Sequence, residues 1–376
     1  MRRAALLGNP NTKRAQYFTQ AAAQAGLPLS VLSWENWREP LEAFALDGSL
    51  LKIDPPLWDS CTLKELGSLS ESYKNQLGRL AQAAEACNIR FFNHPAAIAA
   101  LLDKARCKET LRCAGLPVTE LLAKTRPAGC RDVFPAAMPG GQDPPVLPIL
   151  EDAAQLLSLM ERTGISQVFI KPVNGSGAAG VSAFRWQKRS GRMALYTCAM
   201  EHPQKGLVHT KRLRRFSLAS EILPLLGQLL GMDCVIERWY AKAQYQGYAY
   251  DLRAVVQDGQ LDYLLARLSQ GPITNLQLNN RPLAIEALKL PASVLDAAAG
   301  VCLKAMEAYP GLTSAGIDIL LEKGSLTPRV IEMNSQGDLI YQDIYQENTI
   351  YRRQAEILKR MGGEKNEQPE PRNSGR

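Results

Sequence analysis

Val168-Phe169-Ile170-Lys171-Pro172-Val173-Asn174-Gly175-Ser176-Gly177-Ala178-Ala179-Gly180 is the run on which the reading of this chain turns. Its glycines formally satisfy G-x-G-x-x-G. That dinucleotide fingerprint needs a helix directly after it, whose N-terminus holds a pyrophosphate. Val181-Ser182-Ala183-Phe184-Arg185-Trp186 is instead rich in strand formers and carries no helical stripe. No Gly-Lys-Ser/Thr closes the run, so it is not a P-loop either. What is left is a strand, a small-residue loop and a returning strand. Such a loop can fold over phosphates and present backbone N–H groups without side-chain obstruction. Lys171, just before the loop, supplies a point charge for the same phosphates. A plain glycine-rich hairpin with a chance lysine remains the other reading of these residues.

A second signal lies downstream, in Gly316-Ile317-Asp318-Ile319-Leu320-Leu321-Glu322 and Arg329-Val330-Ile331-Glu332-Met333-Asn334, with Lys323-Gly324-Ser325 as the turn. A hairpin centred near Ser325 sets Asp318 opposite Glu332, and Asn334, two residues on, shares their face. Like charges directly opposed in apolar strands cost stability unless something neutralises them. A hard divalent cation with oxygen ligands is the economical answer, and Mg²⁺ suits one or two carboxylates plus phosphates. Glu322 reads as an ordinary edge acid with no role.

Working outward, the first hundred residues read as strand, helix, strand: an apolar run at 4–7, a helix at 12–25 and a strand at 29–33. A long helix at 69–88, a strand at 90–93 and a helix at 96–102 follow. Residues 1–100 are therefore expected to form a small Rossmann-like α/β domain. Six prolines and three glycines make 127–148 a loop, either a lid or a linker. Strands are expected at 168–171, 181–186, 192–198, 235–240, 248–257, 260–268, 316–322 and 329–333. Helices are expected at 151–162, 217–230 and 291–309, giving an α+β arrangement over 101–361. The polar stretch 362–376 is expected to be disordered.

The bulk numbers exclude several classes. At 376 residues the chain exceeds one ordinary core. A formal charge of +7 favours anionic ligands without indicating nucleic acid. Eight cysteines form no Cys-x-x-Cys pair and have only three histidines as co-ligands, so free buried thiols in a reducing compartment are expected. The apolar run after Met1-Arg2-Arg3 is far too short for a signal peptide, and no stretch approaches a membrane span. The protein reads as cytoplasmic.

With the loop, the hairpin and their order in hand, the chain resembles the ATP-grasp superfamily of carboxylate–amine ligases, in its glutathione-synthetase-like, glutamate-ligase-like and D-alanine-ligase-like branches. The resemblance runs from about Asp103 to Asn334 and implies an α+β fold of two lobes clamping ATP. Asp103-Lys104 with Leu111 and Ala114-Gly115-Leu116-Pro117 is similar to the entry motif, which puts Lys104 beside Lys171 on the phosphates. Gly175, Ser176, Gly177 and Gly180 then belong to the phosphate loop. Val235-Ile236-Glu237-Arg238-Trp239-Tyr240 is similar to the hinge, where the main chain of Arg238 and Tyr240 takes the adenine edge with Glu237 nearby. Tyr250-Asp251-Leu252-Arg253 is similar to the Asp-x-Arg strand, with Asp251 near the ribose and Arg253 near the transferred phosphoryl group. A surface ion pair between the two is the competing reading. Arg267 and Thr274-Asn275-Leu276 resemble the stretch that approaches the acyl phosphate. Asp318, Glu332 and Asn334 match the magnesium ligands.

The chain departs from the family after Asn334, where Ser335-Gln336-Gly337-Asp338 replaces two small residues, Pro and Gly. It departs again after Asn275, where Leu278-Asn279-Asn280-Arg281-Pro282 stands in place of paired glycines. Lys211-Arg212-Leu213-Arg214-Arg215, within the basic stretch 205–216, either recruits a polyanionic substrate or is a solvated loop, and the loop is the expectation. The resemblance implies MgATP-dependent activation of a small-molecule or peptide carboxylate as an acyl phosphate, then transfer to an amine. An ATP-grasp kinase and a nucleotide-binding module without turnover are the alternatives. Oligomeric state is left open, and neither membrane nor nucleic-acid partners are expected.

Overall fold

The computed structural model describes residues 3–38, 49–57, 60, 62–85, 89–125, 147–174, 178–275, 278, 280–336 and 347–363. Outside them lie Gly175, Ser176 and Gly177, the stretch 127–146, the tail 364–376, and Cys61, Cys87 and Cys130.

Strand β1 (Ala4–Leu7) is followed by α1 (Lys13–Gln24), β2 (Leu29–Leu32), β3 (Leu50–Ile53), α2 (Leu63–Glu85), β4 (Arg90–Phe91) and α3 (Pro95–Leu101). The four strands form a parallel sheet in the order β2-β1-β3-β4. A parallel sheet is buried on both faces and reads as an uninterrupted apolar run. Ala4 and Leu6 accordingly face Phe18 of α1, while Ala5 and Leu7 face Tyr73 and Leu77 of α2. Helix α4 (Lys104–Cys113) comes next, capped by Asp103, whose Oδ1 accepts from the Arg106 N–H at 2.9 Å. That cap accounts for the aspartate of the Asp-Lys pair.

The second sheet comprises β5 (Leu121–Thr125), β6 (Ile149–Leu150), β7 (Gln167–Pro172), β8 (Ser182–Gln187), β9 (Arg192–His202), β10 (Gly206–Phe216) and β11 (Cys234–Arg238). Its order is β10-β9-β8-β7-β11-β5-β6. Helices α5 (Ala153–Thr163) and α6 (Ala219–Leu230) cover one face through Leu156, Leu159, Leu226 and Leu229. Gly164 ends α5 in the left-handed region, at φ 66°, as its position predicts. The basic stretch expected to be a solvated loop is a strand. Lys211 to Arg215 lie in β10 at the sheet edge; Arg214 and Arg215 pair with Thr197 and Tyr196 of β9 after an irregularity that begins at His209, and Leu213 is packed inward. Charged residues at an edge are compatible with a strand because that edge faces water.

The third sheet contains β12 (Gln244–Tyr245), β13 (Tyr248–Gln257), β14 (Gln260–Ser269), β15 (Arg281–Ala284), β16 (Ser314–Leu321) and β17 (Pro328–Asn334). Its antiparallel path is β15-β14-β13-β16-β17, with β12 on β13. Helix α7 (Ala292–Glu307) covers one face, meeting Leu252, Ala254, Ile317 and Ile319 with Ala298 and Cys302. Alternation leaves Arg253 and Asp318 on the other face.

Helix α8 (Thr349–Gly363) returns to the first sheet. Tyr351, Ala355 and Leu358 share a cluster with Phe18 and Ala22, and Ile350 reaches Val255 and Leu265 of the third sheet. Gly362 and Gly363 end this helix rather than beginning the tail. A second tie is Asn93, which is 4% exposed. Its Nδ2 donates to the carbonyls of Ser314 and Ser335, both at 2.8 Å, and its Oδ1 accepts from the N–H groups of Thr313 and Ser314. Among the described cysteines, Cys107, Cys198, Cys234 and Cys302 are buried, but Cys113, at the end of α4, is half-exposed, contrary to expectation. Among the described residues no helix is long and apolar enough to cross a membrane.

Candidate active site

Between the second and third sheets lies a cleft that encloses about 830 Å³ of empty space, open solvent included. One wall is built from the N-terminus of α4, β7 and β11. Lys171 and Glu237 are diagonal neighbours on the β7–β11 pair, since Lys171 faces Val235 and Phe169 faces Glu237. Lys171 Nζ donates to Glu237 Oε2 at 2.8 Å, and the Thr119 hydroxyl donates to the same oxygen at 2.9 Å. Glu237 is 1% exposed, and its Oε1 has no hydrogen-bond partner among the described residues.

Lys108, absent from the sequence reading, completes this wall. Its Nζ lies 3.3 Å from Glu237 Oε2, donates to the Ile331 carbonyl at 2.6 Å, and also bonds the Thr119 hydroxyl. The i, i+4 spacing of Lys104 and Lys108 on one helical face was the signal available for it. Burial lowers the pKa of both lysines, opposed by Glu332 and Glu237 at Lys104 and by Glu237 at Lys108. Burial also opposes ionisation of Glu237, yet Lys108 and Lys171 outweigh it and hold the carboxyl below its ordinary range.

The other wall is carried by three neighbouring strands. Asp251 and Arg267 face each other across β13 and β14, and Arg253 faces Asp318 across β13 and β16. The expected hairpin register holds as well: Asp318 pairs with Glu332, and Asn334 lies opposite Gly316. Arg267 grips Asp251 with two parallel bonds, Nε to Oδ1 at 2.8 Å and Nη2 to Oδ2 at 2.9 Å. The same Nη2 lies 3.0 Å from Asp318 Oδ2, and Arg253 Nη1 donates to Asp318 Oδ1 at 2.6 Å. Burial opposes the charge on Asp318, but Arg267 and Arg253 hold its carboxyl well below the usual carboxylate range. Asp251 and Arg253 thus make no surface pair with each other. Each is claimed by a residue on the neighbouring strand.

Asp251 has further partners. Lys242 Nζ sits 3.4 Å from its Oδ2, and the Thr274 hydroxyl bonds both Lys242 and that oxygen. Lys242 is a second residue the sequence reading missed; it sits just after β11 at an isolated bridge to Glu322, where no periodic pattern marks it.

Lys104, Lys171, Glu237, Asp251, Arg267, Asn275, Asp318, Glu332 and Asn334 all line the one cleft, as do Arg238 and Tyr240. Arg253 joins it through Asp318. The backbone N–H of Arg238 already donates to the Glu120 carbonyl at 2.9 Å, and the Tyr240 ring carries the Arg329 guanidinium at 4.5 Å. Of the glycine loop, Ala178, Ala179 and Val181 line the cleft, whereas Gly180 turns at φ 71° against Pro172 and Leu63. Gly175, Ser176 and Gly177 lie outside the described residues. The donor set of Asp318, Glu332 and Asn334, all hard oxygens on one wall in adjacent register, fits Mg²⁺.

No family model matches the sequence, and no curated protein is significantly similar to it. Solved structures do match. D-cycloserine synthetase DcsG superposes with a TM-score of 0.57 at 13% identity, over 94% of this chain and 99% of the other. The ATP-grasp ligase PsnB, complexed with a minimal precursor, gives 0.56 at 16% identity, over 96% and 99%. D-alanine–D-alanine ligase from Bacillus anthracis, complexed with ATP, gives 0.52 at 13% identity, over 96% and 97%. At these identities the likeness speaks for the fold, and it spans nearly the whole of each chain: this protein has the ATP-grasp fold.

Proposed function

We propose that the protein is an ATP-dependent ligase that activates a carboxylate as an acyl phosphate and passes it to an amine. The observation that carries this reading is the facing of Lys104, Lys171 and Glu237 with Asp318, Glu332 and Asn334 across one cleft. Supporting it, PsnB was solved with Mg and ADP and with a precursor peptide, and the D-alanine ligase with ATP. The first hundred residues then act as a small Rossmann-like domain ahead of the ATP-grasp lobes.

In this reading Lys104 and Lys171 neutralise phosphate oxygens, and Glu237 Oε1 accepts from a donor on the nucleotide base. Asp318, Glu332 and Asn334 hold Mg²⁺, which supplies charge neutralisation at the phosphates. Arg253 and Arg267 stand where a carboxylate oxygen would attack the γ-phosphorus, with ADP as leaving group. The amine nitrogen then attacks the acyl carbon, phosphate departs, and the nitrogen loses a proton. Ala178, Ala179 and Val181 help exclude water. Rate enhancement comes from positioning and electrostatics, with no covalent protein adduct.

The test is ADP release from MgATP with a panel of amino acids and short peptides, coupled to mass spectrometry. ADP with a new amide is expected. ADP with a phosphorylated product would convert the reading to a kinase, and failure to bind ATP would sink it.

A further inference from the structure

Gly316 sits in the middle of β16, opposite Asn334 on β17 and Val255 on β13. It shares the cleft-facing side with Arg253, Asp318 and Asn334. Nothing about its backbone demands glycine, since it does not have the positive φ seen at other glycines of the chain. Glycine in a strand interior weakens the strand and marks a close approach. Here the approaching group is Arg253. A Cβ built on Gly316 would lie 2.6 Å from Arg253 Nη2, 2.7 Å from Cζ and 2.9 Å from Nε. The guanidinium therefore lies flat over the bare Cα, and this pose is what lets Nη1 reach Asp318 Oδ1 at 2.6 Å.

We infer that Gly316 is a positioning residue: its missing side chain is the seat that holds the Arg253 guanidinium against Asp318. The inference rests on the ligase reading for its effect on turnover, but not for its effect on geometry. The three atoms an added methyl would meet first all belong to the guanidinium, the far end of a flexible side chain. The fold can absorb Gly316→Ala by moving Arg253. The site cannot absorb it, because that movement takes the cation off Asp318.

Four proteins decide the matter: the wild type, Gly316→Ala, Arg253→Met and the double variant. Crystal structures of the wild type and Gly316→Ala are expected to show the guanidinium displaced from Asp318 in the variant alone, with the melting midpoint little changed. In MgATP turnover, kcat of Gly316→Ala should fall by about tenfold to a hundredfold, the scale of a 1 Å misplacement, with a much smaller change in KM for ATP. In the Arg253→Met background the second change should cost nothing further, because the seated group is gone. An unmoved guanidinium, an unfolded Gly316→Ala, wild-type turnover in that variant, or losses that simply add would each overturn the inference. A wild type that binds ATP but never turns it over would sink the ligase reading, and the crystal structures would still decide the seat.

Discussion

The wall formed by α4, β7 and β11 sets Lys104, Lys108 and Lys171 around one buried carboxylate, Glu237, whose Oε1 has no partner among the described residues. The wall formed by β13, β14 and β16 instead shares two carboxylates among three cations. Arg267 bridges Asp251 and Asp318, Arg253 holds Asp318, and Lys242 leans on Asp251. The first wall carries surplus positive charge in a place where burial already disfavours it, so an anion entering the cleft relieves it. The second wall is closer to balance, with every cation held directly on a carboxylate, and a metal there would have to share those carboxylates. Lysines suit the first task as compact point charges, and arginines suit the second as rigid forks that fix direction.

Attacking the second wall should do the most damage. Arg267→Met leaves Asp251 and Asp318 buried without their shared cation, and chemical denaturation should register a loss of about 3–5 kcal/mol. Glu332→Gln removes a carboxylate from the cleft without breaking that network. It should cut MgATP turnover by about a hundredfold or more at an unchanged melting midpoint. Full activity would end the metal assignment. Asp318→Asn should also abolish turnover, but because Asp318 is claimed by two arginines it should lose stability as well, which makes it the less clean probe. Away from both walls, Asn93→Leu strands the N–H groups of Thr313 and Ser314 and should cost about 1–3 kcal/mol by denaturation.

The smallest effect is a pH dependence common to both walls. Glu237 and Asp318 have pKa values lowered on folding, so their contribution is fully present above the unfolded carboxylate range. It is lost as pH falls below that range, because there the unfolded chain binds protons that the folded chain refuses. Melting midpoints followed downward from pH 6 should drop more gently in Glu237→Gln than in the wild type. Parallel curves would show that Glu237 is not the group being titrated.

The legibility of this protein in its sequence was uneven along the same division. The strand that carries Lys171, the approximate Asp318–Glu332 register and the Gly164 stop follow from neighbours in the chain. Alternation and a short turn bring Asp318 near Glu332, and a one-residue irregularity between Asp318 and Ile319 makes them direct partners, where an unbroken register would have set Asp318 opposite Ile331. Lys211 to Arg215 misled for a related reason. Charge is the local cue for a loop, yet an edge strand tolerates it, and only the pairing with β9 reveals which is present.

The chain order of its motifs, its apolar alternation and its lack of metal-ligand cysteine spacing were determined by the sequence alone. The partners of Asp251 and Arg253, the inward place of Lys108 and the return of α8 to α1 were decided only by tertiary structure. So was the need for glycine at 316. The reason is physical: a residue's face follows from local periodicity, but its partner follows from which distant strand the sheet brings alongside, and β13 meets β16 across some sixty residues of intervening chain.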